Sequence, residues 1–184
     1  MRVLAISGSL RDASNSTALL RALREEAPKG VEVILWDGLK SMPPYDQDDD
    51  VVPAPAAAAA FRELVREVDA VFFATPEYNS SVPGALKNAL DWGSRPLATN
   101  AFRNKPVAVI SSSAGAFGGV WAAAELRKVL AAMGSRVTEA ELAVGHAHEK
   151  LDAEGRLIDD DVRAGLRESL ELLLVETTPA AVAA

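Results

Sequence analysis

Short apolar runs alternate strictly with amphipathic stretches along this chain, and that alternation constrains its fold more than any other feature. The expected strands are Arg2–Ser7, Val31–Leu35, Ala70–Thr75, Pro106–Ser111 and a short fifth near Arg136–Leu142. Helical periodicity falls between and after them, over about Ser16–Ala27, Ala54–Val68, Val82–Trp92, Val120–Met133 and Asp159–Val175. Phe61, Leu64, Val65 and Val68 show the pattern, recurring at i, i+3, i+4 and i+7. The run Ala70–Thr75 is apolar almost throughout, as suits a strand covered on both faces. Such alternation builds an α/β three-layer sandwich, a parallel sheet with helices on both faces. Right-handed crossovers give five strands the order 2-1-3-4-5. Ligands then sit beyond the carboxyl ends of the strands, at the switch point between strands one and three.

The loops at that end have unusual composition. The first, after Ile6, reads Ser7-Gly8-Ser9-Leu10-Arg11-Asp12-Ala13-Ser14-Asn15-Ser16-Thr17. Strand, hydroxyl-rich loop and helix start form an anion site: the helix offers free N–H groups and its partial positive charge. Ser9, Ser14, Ser16 and Thr17 add hydroxyl donors, and Arg11 adds a planar cationic fork suited to phosphate. The loop after strand three is Pro76-Glu77-Tyr78-Asn79. The loop after strand four, Ser111 to Gly119, is rich in serine and glycine, so a ligand can approach its backbone. A phosphate at the first loop and a flat ring between the other two describe a mononucleotide such as FMN. Tyr78 would offer an aromatic edge, and Asn79 with backbone amides would bond the ring's pyrimidine part. There is no G-x-x-x-x-G-K-[ST] and no G-x-G-x-x-G after the first strand, which argues against a P-loop triphosphatase and a dinucleotide fingerprint.

Composition excludes much else. With 184 residues the chain suits one domain, expected over 1–176 with a frayed tail at 177–184. Net charge is −7 with scattered cations, which disfavours nucleic acid and anionic membranes as partners. No apolar run approaches the roughly 20 residues that span a bilayer, and no signal-peptide pattern precedes the first strand, so a cytoplasmic location is expected. The absence of cysteine removes thiol nucleophiles, dithiol relays and iron–sulfur ligation. His146 and His148 alone do not complete a zinc site and are expected as exposed turn residues. The acid run Asp48-Asp49-Asp50 reads as solvated charge.

The motifs resemble those of the NADPH-dependent FMN reductase family, which includes quinone- and chromate-reducing flavoproteins and azobenzene reductases. The matching stretches are Ser7-Gly8-Ser9-Leu10-Arg11, Thr75-Pro76-Glu77-Tyr78-Asn79, and Ser81-x-Pro83-Gly84-x-Leu86-Lys87-Asn88-Ala89-Leu90-Asp91-Trp92. The resemblance covers about residues 1–175. It implies a flavodoxin-like fold, bound FMN, and hydride transfer from NADPH or NADH. It implies that Ser9, Arg11, Ser14 and Ser16, with Asn15 beside them, hold the phosphate. It further implies that Pro76, Glu77, Tyr78 and Asn79 line the flavin ring while Ser112, Ser113 and Gly115 approach it. The family often carries Asn where this chain has Ser16.

Three function classes follow: an NAD(P)H-using FMN enzyme that reduces a small-molecule acceptor, a flavodoxin-type electron carrier, and a non-catalytic module on the same fold. A carrier would dock through acidic surface, which the Asp48 run could supply. Arg11 and the Pro-Glu-Tyr-Asn loop favour the enzyme. Flavin chemistry needs no protein nucleophile or general base, and none is expected. Glu77 is expected as a surface carboxylate whose backbone matters more than its side chain. Arg95 and Arg103 are the candidate cations for the nicotinamide cofactor's phosphates. Ser81 is the expected N-cap of the third helix. Trp92 and Trp121 are either core or anchors of a homodimer or homotetramer.

Overall fold

Leu4 and Ile6 face one way from the first strand and Val3 and Ala5 the other, yet all are buried, because helices cover both faces. The computed structural model describes residues 1–177. Its parallel sheet contains β1 (Arg2–Ser7), β2 (Glu32–Trp36), β3 (Ala70–Thr75), β4 (Pro106–Ser112), β5 (Arg136–Val137) and β6 (Leu142–Val144). The order is β2-β1-β3-β4-β5, with β6 also on β4. The helices are α1 (Asn15–Glu25), α2 (Ala56–Glu67), α3 (Gly84–Gly93), α4 (Val120–Ala132) and α5 (Asp160–Thr177). Leu19 and Leu23 of α1 and Leu166 and Leu170 of α5 pack on Val3, Ala5, Phe72 and Ile110. Phe61 of α2, Leu86 and Leu90 of α3 and Leu126 of α4 pack on Leu4, Ile6, Phe73 and Val109. These are the expected three layers. Thr177, the first residue of the expected tail, belongs to α5, and residues 178–184 lie outside the described residues.

The fifth strand departs from expectation. It is broken into β5 and β6, which pair with the two ends of β4. Thr138 still donates its N–H to the Val107 carbonyl at 2.9 Å, and residues 139–141 leave the ladder before β6. Arg127 of α4 fills the gap, donating to the carbonyls of Val109 at 3.0 Å, Thr138 at 2.7 Å and Ala140. Burial pushes its guanidinium pKa down, and Glu141 opposes the shift. The linear pattern gave no sign of the break because Thr138, Ala140 and Leu142 alternate with Glu139 and Glu141 as they would in one half-buried strand.

Two further expectations are corrected. Asp48 and Asp49 are exposed, but Asp50 forms a largely buried ion pair with Arg62 at 2.7 Å. Arg62 also donates to the Trp92 carbonyl at 2.8 Å and lies 5.6 Å from the Trp92 ring centroid. The acid run is therefore partly a structural strap. Ser81 does not cap α3, which begins after an extended Pro83; its hydroxyl turns instead to Glu125. Trp92 is core, with its indole N–H on the Pro43 carbonyl at 2.9 Å, and Trp121 is half exposed.

Replacing Arg127 with Met keeps an apolar stem but strands the three carbonyls. Arg127→Met is expected to lower stability by ~3 kcal/mol, read from urea unfolding as a lower midpoint with an unchanged slope.

Candidate functional site

β1, β3 and β4 end almost level, with Ser7 opposite Ala74 and Thr75 opposite Ser111. Their following loops therefore meet. Gly8 continues the ladder by donating its N–H to the Ala74 carbonyl at 2.9 Å. A Cβ there would lie 3.0 Å from Leu86 Cδ2 and 3.2 Å from Pro76 Cδ, so glycine lets the first and third loops touch. The Ser9 N–H donates to Ser7 Oγ and the Arg11 N–H to Ser9 Oγ, both at 3.3 Å, which curls the first loop. Ser14 is the N-cap of α1, its Oγ accepting from the Thr17 N–H at 3.2 Å. The N–H groups of Asn15 and Ser16 have no partner among the described residues.

The third loop is a tight turn. Tyr78 and Ser81 exchange two backbone hydrogen bonds, and Asn79 and Ser80 between them have φ of 53° and 59°. Positive φ at both central positions gives a type I′ geometry, which Asn tolerates well. The loop is tied to α4 twice. Glu77 Oε2 accepts from the N–H groups of Trp121 and Ala122, each at 3.1 Å. Glu125 Oε2 accepts from the Ser81 hydroxyl and the Val82 N–H. Those bonds, the hydroxyl's first, hold the Glu125 carboxyl below the usual range. The expectation of Glu77 as a surface carboxylate whose backbone matters more than its side chain is thus corrected.

The fourth loop rests on the segment after β6. Ser113 donates its N–H to Val144 and accepts from the Ala147 N–H, both at 3.0 Å, and the Gly115 carbonyl accepts from the His146 N–H at 3.1 Å. Gly118 and Gly119, with φ of 63° and 82°, turn the chain into α4. Ser16 Oγ and Ser112 Oγ lie 2.8 Å apart and buried, joining the first loop to the fourth.

The loops enclose one cavity of about 310 Å³. Ser9, Arg11, Ser14, Asn15 and Ser16 line it from the first, Pro76, Glu77 and Tyr78 from the third, and Ser112, Ser113 and Gly115 from the fourth. Ala114 joins them, a position that sequence reasoning passed over between two it named. Thr17 and Asn79 do not line it. The Thr17 hydroxyl donates backward to Ser7 Oγ at 2.8 Å, and Asn79 is exposed in the turn. Nor do Arg95 and Arg103. Arg95 donates to the Tyr45 hydroxyl at 3.0 Å, while Arg103 borders a groove with Lys105 and Pro106 at the opposite end of β4. Arg11 is the guanidinium at the cavity, exposed, with Nη2 on its own loop at the Ala13 carbonyl. His146 and His148 are exposed beside Glu149.

This donor set suits a phosphate: unpartnered N–H groups at a helix start, a ring of hydroxyls and one cation. The adjoining wall offers Tyr78 and an open serine–glycine backbone to a flat ring. A second cavity, about 240 Å³ between α4 and β6, has no such loop.

Sheet order and cavity together define a mononucleotide-binding protein of the flavodoxin-like class. The chain belongs to the NADPH-dependent FMN reductase family, whose model matches residues 1–149. It is 40% identical over 174 residues to an NAD(P)H-dependent FMN reductase of Pseudomonas aeruginosa, covering 94% of this chain and 93% of that one. It is 35% identical over 172 residues to a 2-hydroxy-1,4-benzoquinone reductase of Burkholderia sp., covering 93% of each. Among solved structures, the flavoenzyme NAD(P)H:(acceptor) oxidoreductase FerB of Paracoccus denitrificans aligns with a TM-score of 0.84 at 29% identity, over 95% of this chain and 98% of that one. The resemblance in the motifs is borne out, and the chain is an FMN-dependent NAD(P)H oxidoreductase.

Two expectations follow. Ser112→Ala leaves the buried Ser16 hydroxyl without a partner and is expected to cost ~1–2 kcal/mol in chemical unfolding. The Glu125 carboxyl is depressed in the folded state, so its stabilisation is complete above the unfolded value and is lost as pH falls through the folded one. The stability deficit of Glu125→Gln should therefore shrink below the usual carboxylate range, as thermal melts taken at falling pH would show.

Proposed function

We propose that the chain binds FMN in the 310 Å³ cavity, accepts hydride from NADPH or NADH, and passes electrons to a small acceptor. The observation that carries this reading is the convergence of three loops of complementary chemistry on one cavity at the carboxyl end of the sheet. Quinones, azo compounds, metal oxyanions and free flavin are the acceptor classes, and the names of the relatives favour a quinone.

Ser9, Arg11, Ser14, Asn15 and Ser16 hold the phosphate. Thr17 acts one layer behind them, fixing Ser7. Pro76, Glu77 and Tyr78 form the wall for the ring, with Asn79 setting the turn that presents Tyr78. Ser112, Ser113 and Gly115 close the other side. Bound FMN supplies hydride acceptance and onward electron delivery. The protein's part is to bind, to orient and to limit water, so no side chain needs to act as general base. If reductant and acceptor meet the same ring face in turn, the kinetics are ping-pong. A flavodoxin-type carrier is the weaker reading, because the relatives are named as reductases.

The protein acts in the cytoplasm as a homodimer or homotetramer. Support for assembly comes from Phe117 and Trp121, 69% and 50% exposed, stacked edge to face at 5.4 Å where α4 begins. A monomer in sedimentation at micromolar concentration would remove that part of the proposal.

Purified protein is expected to be yellow, or to become so with FMN, and to bleach with NADPH or NADH under anaerobic conditions. FMN-loaded protein that neither nucleotide reduces would overturn the enzyme reading. Arg11→Ala is expected to weaken FMN binding by about 1.5–3 kcal/mol, the scale of a charge-assisted hydrogen bond, as measured by flavin fluorescence titration.

A further inference from the structure

Helix α4 takes its N-terminal cap from another part of the chain. Gly119, which precedes it, has no side chain to offer, and its first turn carries no acid. Glu77 supplies the missing acceptor. Its Oε2 meets the N–H groups of Trp121 and Ala122, the second and third residues of the helix, which an N-cap side chain ordinarily serves. A carboxylate there also matches the helix dipole. The fit is close: a Cβ on Gly119 would lie 3.4 Å from Glu77 Cβ. Glu125 reaches the other way, from α4 to Ser81 and Val82 at the far end of the same loop. Two carboxylates thus cross between the loop and the helix in opposite directions, and one of them borders the cavity.

We infer that Glu77 is a positioning residue: its carboxylate is committed to the start of α4, and through that bond it holds the Pro76–Tyr78 backbone as the cavity wall. It is not a proton donor or acceptor for the reaction. This inference rests on the reading of the cavity as the FMN site.

Glu77→Gln and Glu77→Asp separate the cap from the charge. Gln keeps an acceptor oxygen at the same reach and loses the charge. Asp keeps the charge and is one methylene short. Apo forms of both and of the wild type would be titrated with FMN, with flavin fluorescence, visible circular dichroism of the bound flavin and thermal melts as readouts. Asp is expected to raise the FMN Kd by ~10-fold and to alter the flavin dichroism, whereas Gln stays within about threefold of wild type. Gln impaired with Asp normal would overturn the inference, because charge would then be the property used. Both impaired alike would overturn it in favour of a direct role for the carboxylate. Unchanged Kd and dichroism in Asp, whether or not its melting temperature falls, would also overturn it and reduce Glu77 to support of the fold. Failure of the wild type to bind FMN would instead defeat the reading of the cavity.

Discussion

The register of the three central strands is the constraint on which the site depends. Ser7 stands opposite Ala74, and Thr75 opposite Ser111, so β1, β3 and β4 finish at one level. The ladder holds that register because each strand is buried on both faces. A one-residue slip would exchange Leu4 and Ile6 with Val3 and Ala5 between two cores built from different helices. With the strand ends aligned, three loops distant in sequence share one cavity, and Gly8 allows two of them to touch.

Helix starts then give those loops their chemistry. α1 leaves the N–H groups of Asn15 and Ser16 for a ligand, because its own cap, Ser14, serves Thr17. α4 is closed by Glu77 from the third loop. α1 is thus prepared to receive an anion, while α4 already has a carboxylate from the protein. That difference favours the phosphate at the first loop and leaves the fourth loop's open backbone for an uncharged ring.

Much of this was legible in the residues. The apolar runs reported β1 and β3 to the residue, because a strand covered on both faces writes its length as an uninterrupted apolar segment. The first and fourth loops stood out because serine, glycine and arginine after a strand answer a chemical need rather than a packing one, and the third stood out by its Pro76-Glu77-Tyr78-Asn79 run. The break between β5 and β6 was not legible. It depends on Arg127, a helical residue whose role is set by carbonyls from two other segments. The strap of Asp50 on Arg62 was hidden for the same reason, since one acid in a run of three looks like its neighbours until an arginine is found above it.

The sequence by itself determined the layer architecture, the strand order and the loops that face the ligand, because periodicity and local composition are properties of neighbours along the chain. Only the tertiary structure decided which members of those loops reach the cavity. Thr17 turns back to Ser7 and Asn79 is spent on the turn, while Glu77 borders the cavity with its carboxylate taken up by α4. Each has a residue type suited to binding. Where each side chain goes is settled by the partner that the fold brings within hydrogen-bond reach, and no local pattern records that partner.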